Sequence, residues 1–317
     1  MFDIDLGLAR PDDDANEKKI ISVLNDLVHD RIDAVTAART IDEIITEDCQ
    51  KTLVAYNSAS KEQKKNGTVS GPSPQGWQHY LYDCLATAAM KVPAAHPGQD
   101  RLVNLIDQLG RLPRHKVPAL YSDSEQIVEK ELWVLNRENH YDGFGQWMWE
   151  RHEGTFVGWR QVEMDPDAAD AYLNFSAFLA RLLSGGVAAL LGLSALVLPF
   201  IRRNITVAAS HEPHKFEPYV AAAAQWILYS GKVLYTMCEI KVMASVRWKK
   251  ELWDRIKTQF DTINGDGRFC TETRDWAAQA ADFMRKVEET GSVRETDAFQ
   301  RHHFLSLEEE QEGSADE

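Results

Sequence analysis

The chain is poor in cysteine, in positive charge and in recognisable enzyme signatures, and each shortage removes a class of protein. Its four cysteines, Cys49, Cys84, Cys238 and Cys270, lie far apart without a Cys-x-x-Cys pair, which excludes zinc ribbons and thioredoxin-like redox motifs. Three of them sit in apolar helical patterns and read as reduced core thiols of an intracellular, cytoplasmic protein. Lys and Arg number 35 against 49 Asp and Glu, a formal charge of −14. Duplex binding is driven by clustered cations that release counterions, so nucleic acid is not expected as a partner. The start, MFDIDLGLARPDDD, lacks a basic stretch followed by an apolar run, and its acidity is unlike a transit peptide. No Gly-x-Ser-x-Gly, Walker or dinucleotide fingerprint occurs. Catalytic residues are therefore unknown, no cofactor is implied, and whether the chain is an enzyme stays open.

What is present is helical. In the stretch 218–238, PYVAAAAQWILYSGKVLYTMC, Lys232 is the only charged side chain. At 100° per residue Tyr219, Trp226, Val233 and Met237 fall on one side and Val220, Ala224, Leu228 and Tyr235 on the other, leaving only Gln225, Lys232 and Thr236 as a polar line. A helix apolar around most of its circumference is packed on several sides. The expected fold class is all-α: a single large multi-helix domain around this buried central helix.

Around it, composition divides the chain into an N-terminal helical hairpin (1–56), a polar Ser/Gly/Pro-rich linker (57–75), a main helical domain (76–290) and an acidic disordered tail (291–317). Asp14-Ala15-Asn16-Glu17 has capping-box spacing ahead of Ile20, Ile21, Leu24 and Leu27. A second helix starts at Asp33. A third runs from Gly76 to Val92 and stops at Pro93, and a fourth opens at Pro97-Gly98 and carries Leu102, Leu105, Ile106 and Leu109. Residues 127–135 read as helical, and the one strand-like pattern lies near Thr155 to Val162. A helix follows Asp165-Pro166, and two amphipathic helices carrying Trp248 to Ile263 and Phe269 to Val287 close the domain.

Several of these segments carry a resemblance. Trp77 and its helix, the run His96-Pro97-Gly98-Gln99-Asp100-Arg101-Leu102, Leu112-Pro113, Asn174 with Phe178 to Leu182, and Ala223-Ala224-Gln225-Trp226-Ile227 resemble a family of uncharacterised helical proteins of filamentous fungi, catalogued only as a domain of unknown function. The resemblance covers roughly Trp77 to Phe260. It implies a fungal, helical, intracellular protein and carries no catalytic residues across.

Four patterns invite chemistry, and in each a structural reading is preferred. Asp13-Asp14-Ala15-Asn16-Glu17 fits the Asp-Asp-x-x-Asp/Glu pattern of magnesium-dependent terpene cyclases, but no second metal motif accompanies it and capping explains the aspartates. In His211-Glu212-Pro213-His214 the proline prevents helical ligand geometry. Asp261 to Glu272 has the acidic ends of a calcium loop, yet Ile263 and Gly265 supply no oxygen ligands. No metal is expected. The uncharged run 182–201 is long enough to span a bilayer, but Gly185-Gly186 and Pro199 favour two shorter buried helices, so a membrane role is not expected. The aromatic-rich stretch from Trp133 to Trp159 is the remaining candidate surface. The preferred function is a non-enzymatic protein-interaction or adaptor module whose partner is another protein. The alternative is a small-molecule-binding protein, or an atypical enzyme of fungal secondary metabolism, holding an apolar ligand between helices. The candidate binding residues are Gln225, Trp226, Trp147, Trp149 and Trp159.

Overall fold

Asp14 starts helix α1 (Ala15–Val28) as a capping box: its carboxylate accepts from the Asn16 and Glu17 N–H groups at 2.7 and 2.8 Å, and Glu17 accepts the Asp14 N–H. Asp13 is buried and accepts the Arg10 N–H. Both aspartates thus serve the helix start. The computed structural model describes residues 4–121, 126–135, 140–156, 164, 166–187, 212–240 and 249–291. Helix α2 (Ala34–Ser58), capped by Asp33 at the Thr36 N–H, extends beyond the stripe legible in the sequence. Then come α3 (Lys61–Lys65), α4 (Pro74–Lys91), α5 (Gly98–Gly110), strands β1 (Lys116–Tyr121) and β2 (Gln126–Glu131), and α6 (Phe144–Phe156). Helices α7 (Pro166–Ser184), α8 (Glu217–Ile240), α9 (Lys250–Asn264) and α10 (Thr271–Thr290) complete the order. Ten α-helices and one two-stranded sheet among the described residues make the chain all-α.

One local expectation is overturned. Residues 127–135 are not a helix: 126–131 form β2, antiparallel to β1 with Tyr121 opposite Gln126 and Lys116 opposite Glu131. Val128, Leu132 and Leu135 repeat at helical spacing, but β-branched Ile127 and Val128 suit a pleated surface and a second strand is at hand to pair with. Of the strand-like stretch 155–162, residues 155–156 end α6 and the rest lies outside the described residues, as does most of the run 182–201. Among the described residues no helix is long and apolar enough to cross a membrane.

The chain forms two compact units, one of residues 1–92 and 96–148, the other of 93–95 and 149–317. In the first, α1 and α2 pack on each other and on α5, burying Ile20, Leu24, Ile41, Ile45, Leu102 and Leu105. The run 96–102 staples this unit. His96 Nδ1 accepts the Gly98 N–H at 3.0 Å. Burial, then the Arg101 and His29 charges, lower the His96 pKa, which keeps that nitrogen an acceptor. Gly98 permits the close approach, since a Cβ there would lie 2.9 Å from His96 Nδ1 and 3.0 Å from Val28. Buried Gln99 donates to the Ala89 and Val92 carbonyls at 3.0 and 2.7 Å, closing the end of α4. Arg101 donates to the Val28 carbonyl at 2.8 Å and pairs with Asp30 at 2.9 Å, closing the end of α1.

In the second unit α8 packs on α7 and α10, and α10 on α9. Residues Ala222 to Ile227 are buried without a break, and Trp226 is 2% exposed. The Tyr172 and Tyr219 rings meet at 5.8 Å, and the Arg181 guanidinium lies 3.6 Å from the Tyr229 ring centre. Early residues of α7 thus meet early residues of α8 and late ones later ones, so the two helices run parallel. Asn174 accepts the Ala94 N–H and Arg181 donates to the Ala94 carbonyl, both at 2.8 Å. These two residues, part of the family resemblance, hold the backbone N–H and carbonyl of a single residue, Ala94.

Candidate functional site

The first unit contains an open groove of about 870 Å3 between the start of α4 and the β-hairpin. Its α4 wall begins at Ser73, which caps the helix by accepting the Gly76 N–H at 3.3 Å, with Pro74 in the first turn. Toward the hairpin, the Leu120 N–H donates to the Pro72 carbonyl at 2.8 Å, so residues 71–72 lie along β1. A Cβ on Gly71 would stand 2.6 Å from the Leu120 side chain; only glycine allows so close a pass.

Two polar side chains of the groove, Lys130 and Asp142, are tied together through buried Gln78. Lys130 Nζ donates to Gln78 Oε1 at 2.9 Å and lies 3.6 Å from the Asp142 carboxylate, which accepts from the Gln78 amide. Asp142 holds a left-handed φ of 50° and buried Trp133 one of 56°, conformations that cost about 1–3 kcal/mol each and cluster at functional positions. Burial, and then the Asp142 charge, raise the Tyr82 hydroxyl pKa far above its usual range, so the phenol stays protonated. Lys130 is thus committed to two acceptors.

The apolar side chains are not satisfied in this way. Tyr121 is 59% exposed and Val128 39%. Ala119 pairs with Val128 and Tyr121 with Gln126, so Tyr121 and Val128 are diagonal neighbours on one sheet face. His79, also in the groove wall, stacks on Trp147 at 4.3 Å, and the Trp147 indole donates to Asp83 at 3.1 Å. That bond belongs to a pattern: Trp77 donates to Asp48 at 2.9 Å, Trp133 to Asp42 at 2.7 Å and Trp253 to Glu288 at 2.8 Å. These four indoles are pinned to carboxylates, which is a role in packing.

The second unit carries a different feature. His152 is buried among Phe156, Tyr172 and Phe175 at ring distances of 5.5, 5.4 and 6.2 Å, and neither of its ring nitrogens has a hydrogen-bond partner among the described residues. Burial pushes its pKa down to about 4, so the ring is neutral. The Ser176 hydroxyl and the Gln225 amide nitrogen are likewise buried and have no partner among the described residues. Of the polar line on α8, Lys232 is exposed, whereas Gln225 and Thr236 are buried.

The described residues singled out in the sequence fall in both compact units. Trp147 supports the groove wall in the first unit. Trp149, half-buried, and buried Gln225 and Trp226 belong to the second, where no hydrogen bond or ring contact among the described residues joins Trp149 to the other two. Trp159 and His211 lie outside the described residues; Pro213–Phe216 form a single 3-10 turn. The stretch Asp261 to Glu272 is the turn between α9 and α10, with Asp266 held by Arg268 at 2.7 Å. Among the described residues no three His, Cys, Asp or Glu side chains are grouped to hold a metal. Tyr121, Val128, Lys130, Gln78 and Asp142 went unsingled in the sequence. The available signal was KVPALY and QIVEKE, two strand-like runs on either side of Ser-Asp-Ser-Glu.

Among the described residues the fold is all-α with one small β-hairpin, whose strands line an open groove. A family model described as a protein of unknown function, DUF3632, matches residues 82–287, and the chain belongs to that family. The match includes the staple run and the Asn174 and Arg181 clamp, which are among the residues that carried the resemblance read from the sequence; Trp77, another of them, lies outside it. No curated protein and no solved structure matches the chain.

Proposed function

We propose that the protein is a non-enzymatic interaction module that binds another protein through the groove between α4 and the hairpin. The observation that carries this reading is the pair Tyr121 and Val128, apolar, exposed and on one face, beside polar groups that already satisfy one another. Ligand pockets for small molecules are enclosed and mostly apolar, whereas this groove is open. Buried, unbridged Cys49, Cys84 and Cys238 support an intracellular setting. Selection of displayed peptides against the full chain tests the proposal. Selected peptides should lose about tenfold or more in affinity with the double variant Tyr121→Ser/Val128→Ser and none with Val54→Ser, a change at an exposed apolar residue on α2. Peptides indifferent to Tyr121 and Val128 would refute it.

A second reading, a small molecule held inside the second unit, is supported by His152, Ser176 and Gln225, buried polar groups of the kind that anchor a ligand between helices. A fragment screen by thermal shift, repeated on His152→Phe, tests it: fragments that stabilise both forms equally would argue against this reading.

A further inference from the structure

Resting on the reading of the groove as a protein-binding surface, we infer that its occupant is an extended, basic segment that adds a third strand to the hairpin along β2. Two independent observations lead there. The first is the backbone. Among the described residues the sheet has two strands, and the Leu120 N–H on β1 is taken by the Pro72 carbonyl. The edge of β2 that faces away from β1 has no backbone partner among the described residues. An unpaired edge is a template for another strand, and a two-stranded sheet gains most from a third. Groove-lining residues come from both faces of β2, Val128 and Lys130 from one and Glu129 and Glu131 from the other. The strand's backbone is thereby part of the wall that an occupant meets.

The second observation is charge. Lys130 is engaged by Gln78 and Asp142, and Glu131 faces Arg114 at 3.6 Å. Exposed Glu129 makes no ion pair among the described residues. A second copy of the hairpin would bring carboxylates toward carboxylates, which disfavours self-pairing. A strand with Lys or Arg facing Glu129 and an apolar residue facing Val128 and Tyr121 is matched at both. Backbone bonds then supply affinity and alternate side chains the specificity.

The test uses fluorescent ten-residue peptides and the full chain, read by anisotropy. A Lys/Val-alternating peptide should bind, and a Glu/Val-alternating one should bind at least about tenfold more weakly. N-methylation of alternate amides, made in both registers, should abolish binding in one register and spare the other. Glu129→Lys should reverse the charge preference, and Glu43→Lys, an exposed position on α2, should leave it unchanged. Equal binding of both N-methylated peptides would overturn strand addition, and a preference indifferent to Glu129 would overturn the charge assignment. In either case, selected peptides that still depend on Tyr121 and Val128 would leave the broader protein-binding reading standing; peptides that ignore those two residues would remove that reading as well.

Discussion

His152 shows how much a single side chain can decide. Its folded pKa of about 4 lies below the ordinary 6.5 because burial among three aromatic rings penalises the charged form. As pH falls through 6.5 the unfolded chain takes up the proton before the folded one, so stability is complete above that value and is lost progressively down to about 4. The loss amounts to about 3 kcal/mol. Denaturant melts at stepped pH should show this slope in the wild type and a shallower one in His152→Phe, which keeps the ring packing and removes the proton site. Identical slopes would mean that His152 takes up its proton in the fold at the same pH as in the unfolded chain. Nothing in the sequence around Glu150 to Glu153 marks this histidine, because two of its three ring neighbours, Tyr172 and Phe175, come from α7, which follows later in the chain.

Elements differ in how far they can be read from residues alone. Helix α8 was legible because its apolar character runs around nearly the whole circumference, and the fold buries Ala222 to Ile227 accordingly. The staple run was legible as a helix start but not as a staple. Gln99 and Arg101 act on the ends of α4 and α1, and no local pattern names those carbonyls. Gln99→Leu should leave two carbonyls of α4 without their donor and cost roughly 1–3 kcal/mol, measured as a fall in denaturant midpoint at unchanged m-value. An unchanged midpoint would show that water replaces the amide. The hairpin differs from the expectation because the helical spacing within 127–135 is outweighed by pairing with the neighbouring strand-like run 116–121. The groove inherits the same difficulty, since Gln78 and Asp142 stand 64 residues apart in sequence.

On the scale of the whole molecule, acidity and helix content were plain from composition, while the division into two compact units was not. Compositional boundaries follow polar runs, whereas contacts follow packing. Part of the acidic surplus has structural work, since Asp42, Asp48, Asp83 and Glu288 each accept an indole N–H. The parallel run of α7 and α8 has a consequence for the order of assembly. Two parallel helices cannot zip up from a shared turn; their first contacts, Tyr172 with Tyr219 and Arg181 with Tyr229, must close a long loop before any packing compensates the lost entropy. Helices α1 and α2 meet across the short stretch around Asp30 and escape that delay. Pulse-labelled hydrogen exchange during refolding should therefore find the amides of α1 and α2 protected before those of α7 and α8, and simultaneous protection would show that both pairs form in one step.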